Sequence, residues 1–448
     1  MFGLFRRKGV LTPVQQFFHT ESASGVILMA ATLLALVCAN SPLRAAYEHL
    51  LHIPVRIGVG AIQVDQSLLH FVNDGLMAVF FLLVGLEIKR EIRYGELSDV
   101  RSALFPIAAA VGGATLPAII YFALNRSGEA AAGWAIPMAT DIAFALGVLA
   151  LLGDRIPSWL KVFLMTLAIV DDLIAVLVIA VFYTESLSLA ALGWALLFTG
   201  ALILVNAAGV YHLGVYLLFG VALWFAVLQS GVHATIAGVV LGLTIPARRS
   251  ERAEEEARIA DESVDLFQRS ISGIARRPER ESYEAALSQL GSMIARTESP
   301  LHRLERKLHS PVAFGIVPIF ALANAGVVLS ADAVAGAAAS PVSAGIVLGL
   351  VFGKQIGIFL AAFLLIRLGW SRLEADRPTL RALYGTALLG GIGFTMSLFV
   401  ASLGFGEGVI MEQSKMAILS ASLISGLAGY FVLRTLPPAT DASPFEDG

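Results

Sequence analysis

A chain of 448 residues that is 57% hydrophobic and 15% charged, with a mean hydropathy of +0.78, is too apolar for a soluble protein of this length, and its charges cluster so that long apolar runs stay clean. The net charge of −3 argues against a nucleic-acid partner. The single cysteine, Cys38, excludes an internal disulfide and suits packing in an apolar stretch.

The N-terminal MFGLFRRKG is basic, but the apolar run Gly25–Ala39 that follows lacks a convincing cleavage site. It is expected to be a retained first helix rather than a signal peptide. About 20 apolar residues suffice to cross a bilayer as a helix. On that basis the chain predicts an all-α polytopic membrane protein of about twelve spans, near 22–40, 68–88, 103–124, 135–152, 158–182, 188–206, 212–229, 231–246, 311–330, 341–367, 381–404 and 413–434. With the N-terminus inside, short loops on that side carry most of the basic residues, from Arg6 to Arg381, while the opposite side holds Arg44, Arg56, Arg126 and Lys415. That bias places both termini in the cytoplasm.

The expected organisation is spans one to eight in 1–247, a charged cytoplasmic insertion at 248–309, spans nine to twelve in 310–436 and a cytoplasmic tail at 437–448. Between the first two spans, HIPVRIGVGAIQVDQ (52–66) has β-branched residues at alternate positions around a Gly-Val-Gly, which predicts a short external hairpin. In the insertion, ERAEEEARIADESVDLF and SYEAALSQLGSMIART both show helical periodicity and predict a helical hairpin. A solvated insertion is the plain reading, a regulatory or partner-binding role the alternative.

The fifth span reads LAIVDDLIAVLVIA from Leu167 to Ala180, with Asp171 and Asp172 near its middle. One central Asp costs roughly 2.5–3.5 kcal/mol on insertion, so two adjacent acids call for a function. Asp141 and Lys354 are the other deep ionisable groups, and Lys354 is the one lysine of six inside a clean span. Intramembrane charges pair or line a polar pathway. One lysine can serve one acid, and here there are three. Neighbouring helical residues point about 100° apart, so one of Asp171 and Asp172 can bond Lys354 while the other faces a water-filled cavity. Carboxylate oxygens suit a hard cation such as Na+ or Li+. Burial and a second acid hold a carboxyl proton to higher pH, while a lysine or a cation opposes this. Such a pair can trade a proton for a cation, which is antiporter chemistry.

Asp141 lies in AIPMATDIAFALG, where Pro137 and Thr140-Asp141 interrupt the helix signal, and LLGGIGFTMSLF supplies Gly390, Gly391 and Gly393 as a second weak point. Two interrupted spans in corresponding halves point to a site built from broken helices. Asp141 would compensate positive half-helix N-termini and Lys354 the negative C-termini. Close helix packing is the alternative for the glycines alone.

Together MATDIAFALG, LAIVDDLIAVL, NDGLMAVFFLLVGLEIKRE, QSGVHATIAGV, FALANAGV, FGKQIGI and GGIGFTMSLF resemble the NhaA family of sodium/proton antiporters over the whole membrane part. The resemblance implies twelve spans in inverted repeats, with the fourth and eleventh helices crossed and partly unwound. It implies that Asp171 and Asp172 carry cation and protons, Asp172 more directly, that Lys354 pairs with Asp171, and that Thr140 and Asp141 sit at the crossing. It also implies an electrogenic exchange and no cofactor. Glu87, Arg90, Glu91 and Glu305 match a charged cluster at the family's cytoplasmic funnel, linked to activation at alkaline pH; His309 and His233 are further matches. Arg306 departs from the pattern, standing where histidine is expected. For His233 a hydrogen-bonded packing role is the alternative, and Asp74 is structural or on the pathway. The 52–66 hairpin matches a dimer contact. The expectation is thus a bacterial inner-membrane, homodimeric Na+(Li+)/H+ antiporter embedded in lipid, not an enzyme. The rivals are an intramembrane aspartyl protease, a cation channel and a cation-coupled solute symporter. The first needs two converging acids, and no polar pocket signature for an organic solute supports the last.

Overall fold

The computed structural model describes residues 13–59, 62–184, 187–247, 299–370 and 380–437. Both predicted helices of the charged insertion lie outside the described residues, as do the hairpin tip at 60–61 and the tail beyond 437. The described chain is a helical bundle with one small sheet. Eight of its helices are long and apolar enough to cross a membrane: Leu68–Tyr94, Val100–Leu124, Glu129–Leu151, Trp159–Phe182, Leu189–Ala207, Pro341–Arg367, Leu380–Phe405 and Val409–Arg434. Ala23–Ala39 and Arg44–Leu51, bent by 115°, make a ninth if taken together. The other predicted spans coincide with shorter helices. Leu213–Leu228 and Thr235–Thr244 extend roughly 24 and 15 Å at 1.5 Å per residue, below the hydrocarbon thickness. The predicted ninth span, 311–330, coincides with a wide π-helical turn, Val312–Ile316, and the helix Val317–Asn324, which continue the preceding helix Pro300–Pro311.

Local sequence sets the helix ends. The Asp99 side chain accepts from the Ser102 N–H and starts Val100–Leu124, Ser188 caps Leu189–Ala207 at the Ala191 N–H, and Ser299 caps a helix that opens with Pro300. The helix Leu189–Ala207 turns Leu196, Leu197, Ile203 and Leu204 outward, as expected where the surrounding solvent is hydrocarbon. The sheet pairs β1 (Pro54–Val59) with β2 (Ile62–Ser67), Arg56 opposite Asp65, and those two side chains form an ion pair of 3.0 Å.

Glycines bring two pairs of helices into backbone contact. On Leu68–Tyr94 and Thr235–Thr244, a Cβ added at Gly238 would collide with the Ala78 carbonyl, and one at Gly242 with Leu82 and Gly85. On Val100–Leu124 and Pro341–Arg367, a Cβ at Gly357 would collide with the Gly112 carbonyl. Small residues allow such close approach where no hydrophobic force drives helices together.

Candidate ion-binding site

The helix Ser158–Phe182 carries both acids into the interior. Asp171 and Asp172 are 2% and 1% exposed. Lys354 is completely buried and enters from the π-helical turn Gly349–Lys354 in the long helix Pro341–Arg367. A turn of this kind displaces the side chains after it and often marks a functional site. Gly349 and Gly353 let that turn lie against Pro137 and Pro117. The Lys354 Nζ bonds Asp171 Oδ2 at 2.5 Å and also donates to the Met138 carbonyl. Thr140 faces the Asp171 carboxylate as well.

Asp172 is different. Neither of its oxygens has a hydrogen-bond partner among the described residues. The charged groups facing it are Asp171, Glu87, Asp141 and Lys354. A buried carboxylate without donors is expensive when ionised, and three of its four charged neighbours are acids. A proton or a hard cation is the partner such a site favours.

The interrupted segments meet beside the pair. A 3₁₀ stretch, Glu129–Met138, ends in extended residues, and Asp141 then caps Ile142–Leu151 by accepting from the Phe144 N–H at 2.9 Å. The helix Leu380–Gly390 stops, and after three intervening residues Phe394–Phe405 begins. The other oxygen of Asp141 accepts from the Thr395 N–H at 3.0 Å and from the Thr395 hydroxyl at 2.5 Å. One carboxylate therefore closes two helix N-termini, where backbone donors and the dipole favour negative charge. The loose carbonyls are met in turn. Thr140 Oγ1 donates to the Gly390 carbonyl at 3.0 Å, the Asp141 N–H to Ile392 at 2.7 Å, and Ser397 Oγ to Ile136 at 2.8 Å. Gly391 is packed against the Leu350 carbonyl and Gly393 against Ser397 and Leu350, where a Cβ would collide, and Gly390 lies against the tip of the Ile358 side chain.

Farther along Leu68–Tyr94, Arg90 pairs with Glu91 at 3.1 Å and more closely with Glu305. Glu87 faces both Arg90 and Asp172, so it stands between the cluster and the acids. Glu305 lies outside the spans. Burial pushes its carboxyl above the ordinary 4.5, with Arg90, His302 and His309 opposing and Glu91 adding to the rise. Arg306 is exposed on the same helix. His233 is elsewhere: its Nε2 bonds the Tyr183 carbonyl at 2.7 Å and it faces Asp74. Asp74 precedes Glu87 by roughly 20 Å of helix, so the structure does not bring His233 into the Arg90 cluster. The residues that sequence reasoning missed are Thr395 and the Met138 carbonyl. A threonine inside GGIGFTMSLF gave no sign of its partner, and a carbonyl gives none at all.

The family model described as Na+/H+ antiporter 1 matches residues 15–433. The chain belongs to this family. A protein of Oleidesulfovibrio alaskensis named Na(+)/H(+) antiporter NhaA is 47% identical over 427 residues, covering 95% of this chain and 94% of the relative. One of Saccharophagus degradans, named Na(+)/H(+) antiporter NhaA 1, is 44% identical over 95% of this chain and 92% of the relative. One of Sulfurimonas denitrificans, also named Na(+)/H(+) antiporter NhaA, is 42% identical over 95% and 96%. The family consists of transporters, not enzymes, and its membership together with the apolar helices makes this chain a multi-pass membrane protein.

Proposed function

We propose that the chain is a Na+(Li+)/H+ antiporter, with Asp172 the principal cation ligand. The observation that carries this is a fully buried carboxylate with no hydrogen-bond donor among the described residues, next to an acid already held by Lys354. On the side open to the cytoplasm the acid pair loses protons and takes up the cation. The molecule then rearranges, the cation leaves outward, and protons return. Cation and protons compete for the same carboxylates, so exclusive occupancy couples the two flows. More protons enter than cations leave, and the membrane potential contributes about 2.3 kcal/mol per net charge per 100 mV. Acidic pH silences the site because a protonated pair cannot take up Na+, and the Glu87, Arg90, Glu91, Glu305 and His309 cluster adjusts activation towards alkaline pH. His233 belongs to the packing around Asp74 and Tyr183, with any pH effect transmitted through that contact.

The two interrupted segments, 129–151 and 380–405, are the crossed helices of an inverted-repeat transporter, and Thr140, Asp141 and Lys354 balance their terminal charges. The chain lies in a bacterial inner membrane with both termini and the 248–309 insertion cytoplasmic, and pairs with a second copy through the 52–66 hairpin.

The test is proton movement in proteoliposomes. A pH gradient read by a quenched dye is challenged with Na+, Li+ or K+ at mildly acidic and alkaline pH, wild type beside Asp172→Asn. Dissipation by Na+ or Li+ at alkaline pH alone, lost in the variant, supports the proposal. A variant as active as the wild type removes Asp172 from the mechanism.

A further inference from the structure

The half-helix Phe394–Phe405 starts without a cap of its own: Gly393 precedes it and has no side chain to accept from the first N–H groups. Two other segments supply the acceptors. Asp141 takes the Thr395 N–H from one side. From the other, Ser422 Oγ takes the Phe394 N–H at 3.0 Å, across 28 positions of the chain. Ser422 is 4% exposed and stands on the helix Val409–Arg434.

That helix lies along the whole break. Gly429 meets Leu389, Gly426 meets Ile392 and Ser425 meets Gly391, where an added Cβ would lie 2.7 Å from Ser425 Oγ. Positions 422, 425, 426 and 429 form one stripe of a helix, and their partners run the opposite way, from Phe394 back to Leu389. The Leu350 carbonyl meets the same face of Gly391, and Leu350 belongs to the turn that carries Lys354. Ser425 is 1% exposed, and its hydroxyl has no hydrogen-bond partner among the described residues. A buried hydroxyl left unpaired costs stability. This one stands one turn, about 4.5 Å, beyond the hydroxyl in use.

We infer that Ser422 and Ser425 are positioning residues for ion exchange: two stops, one turn apart, for the N-terminus of the half-helix beside the acid pair. In this state the Phe394 N–H rests on Ser422. A one-turn slide of the break along Val409–Arg434 brings the same N–H to Ser425, with Asp141 and its bonds to Thr395 and Ile392 travelling along. Packed elements shift by such steps between discrete arrangements. The slide also carries Gly391 past the Leu350 carbonyl, which ties it to the turn of Lys354 and so to the occupancy of the acids. Neither serine touches the cargo. The inference rests on the antiporter reading for the exchange that the slide serves.

The test uses Ser422→Ala, Ser425→Ala, the double variant and the conservative Ser422→Thr and Ser425→Thr, each in the full chain. Na+-driven proton movement in proteoliposomes gives KM and turnover. Removing one stop favours the state held by the other, so KM for Na+ should move at least about threefold, up in one alanine variant and down in the other. The threonine variants keep the hydroxyl and should stay close to wild type. The double variant should lose at least about fivefold in turnover. Amide hydrogen exchange in detergent reads the same balance without transport. The stretch 391–397 should exchange faster in Ser422→Ala and no faster than wild type in Ser425→Ala, whose melting temperature stays level or rises. KM values that move in one direction, or not at all, would overturn the inference, as would unchanged hydrogen exchange in Ser422→Ala. A wild type that moves no Na+ while hydrogen exchange follows the expected pattern would sink the proposed function and leave the two stops standing.

Discussion

Asp141 and Asp172 lie equally deep in the same bundle and are housed in opposite ways. Asp141 is 2% exposed and its two oxygens receive the Phe144 N–H, the Thr395 N–H and the Thr395 hydroxyl. Asp172 is 1% exposed and receives nothing among the described residues. Fixed donors satisfy both oxygens of Asp141 and make it part of the frame. A buried carboxylate with no hydrogen-bond donor among the described residues leaves a place for a partner that comes and goes. Lys354 and Asp171 stand between these extremes, each serving the other.

The strongest way to break this contrast is to turn a satisfied acid into an unsatisfied one. Lys354→Ala leaves Asp171 buried without its cation, and loss of one partner of a buried pair costs about 3–5 kcal/mol. Thermal unfolding in detergent should show a large drop, and adding Asp171→Asn should recover part of it. An undiminished midpoint would mean the pair is not a structural element. Asp172→Asn should behave in the reverse sense. Exchange in proteoliposomes falls by at least about 100-fold, equivalent to roughly 2.7 kcal/mol, while the melting temperature stays level or rises because no bond is lost. A drop in stability comparable to that of Lys354→Ala would place Asp172 in the frame. Asp141→Ala removes two helix caps, each worth about 0.5–2 kcal/mol, so a stability loss of about 2 kcal/mol is expected in the same unfolding assay.

The smallest effect belongs to Glu305. Its carboxyl titrates above the ordinary 4.5 chiefly because it is buried, despite Arg90. An acid raised in the folded state binds more protons there than in the unfolded chain. Stability is therefore highest below the unfolded value and declines as pH climbs from about 4.5 through the folded one. Glu305→Gln should flatten that decline in unfolding midpoints measured from acidic to neutral pH. Identical slopes in the two proteins would exclude Glu305 as its source.

Much of this arrangement was legible from the residues because hydrocarbon makes charge conspicuous. Asp171, Asp172, Asp141 and Lys354 stood out in apolar text, and Pro137 and the glycines at 390–393 marked where two helices stop. The hairpin was readable from alternation. What could not be read were the partners. Thr395 sits 254 positions from Asp141 and looks like any helical threonine, while the Met138 carbonyl is invisible in any sequence. The π-helical turns Val312–Ile316 and Gly349–Lys354 escape as well, since they arise from packing and leave the hydrophobic pattern of a span intact. Helix lengths were overread at 231–246 because apolar residues there flank a helix of ten, Thr235–Thr244.

The glycine seams have a mechanical corollary. Where Gly238 and Gly242 meet the backbone of Leu68–Tyr94, and Gly357 meets Gly112, there are no side chains to act as bearings. Each pair is a riveted joint: it transmits force without shear. Strain that reaches either pair must then be relieved along other lines of the bundle, and an alanine at Gly238, Gly242 or Gly357 would act as a wedge, prying apart members packed backbone to backbone.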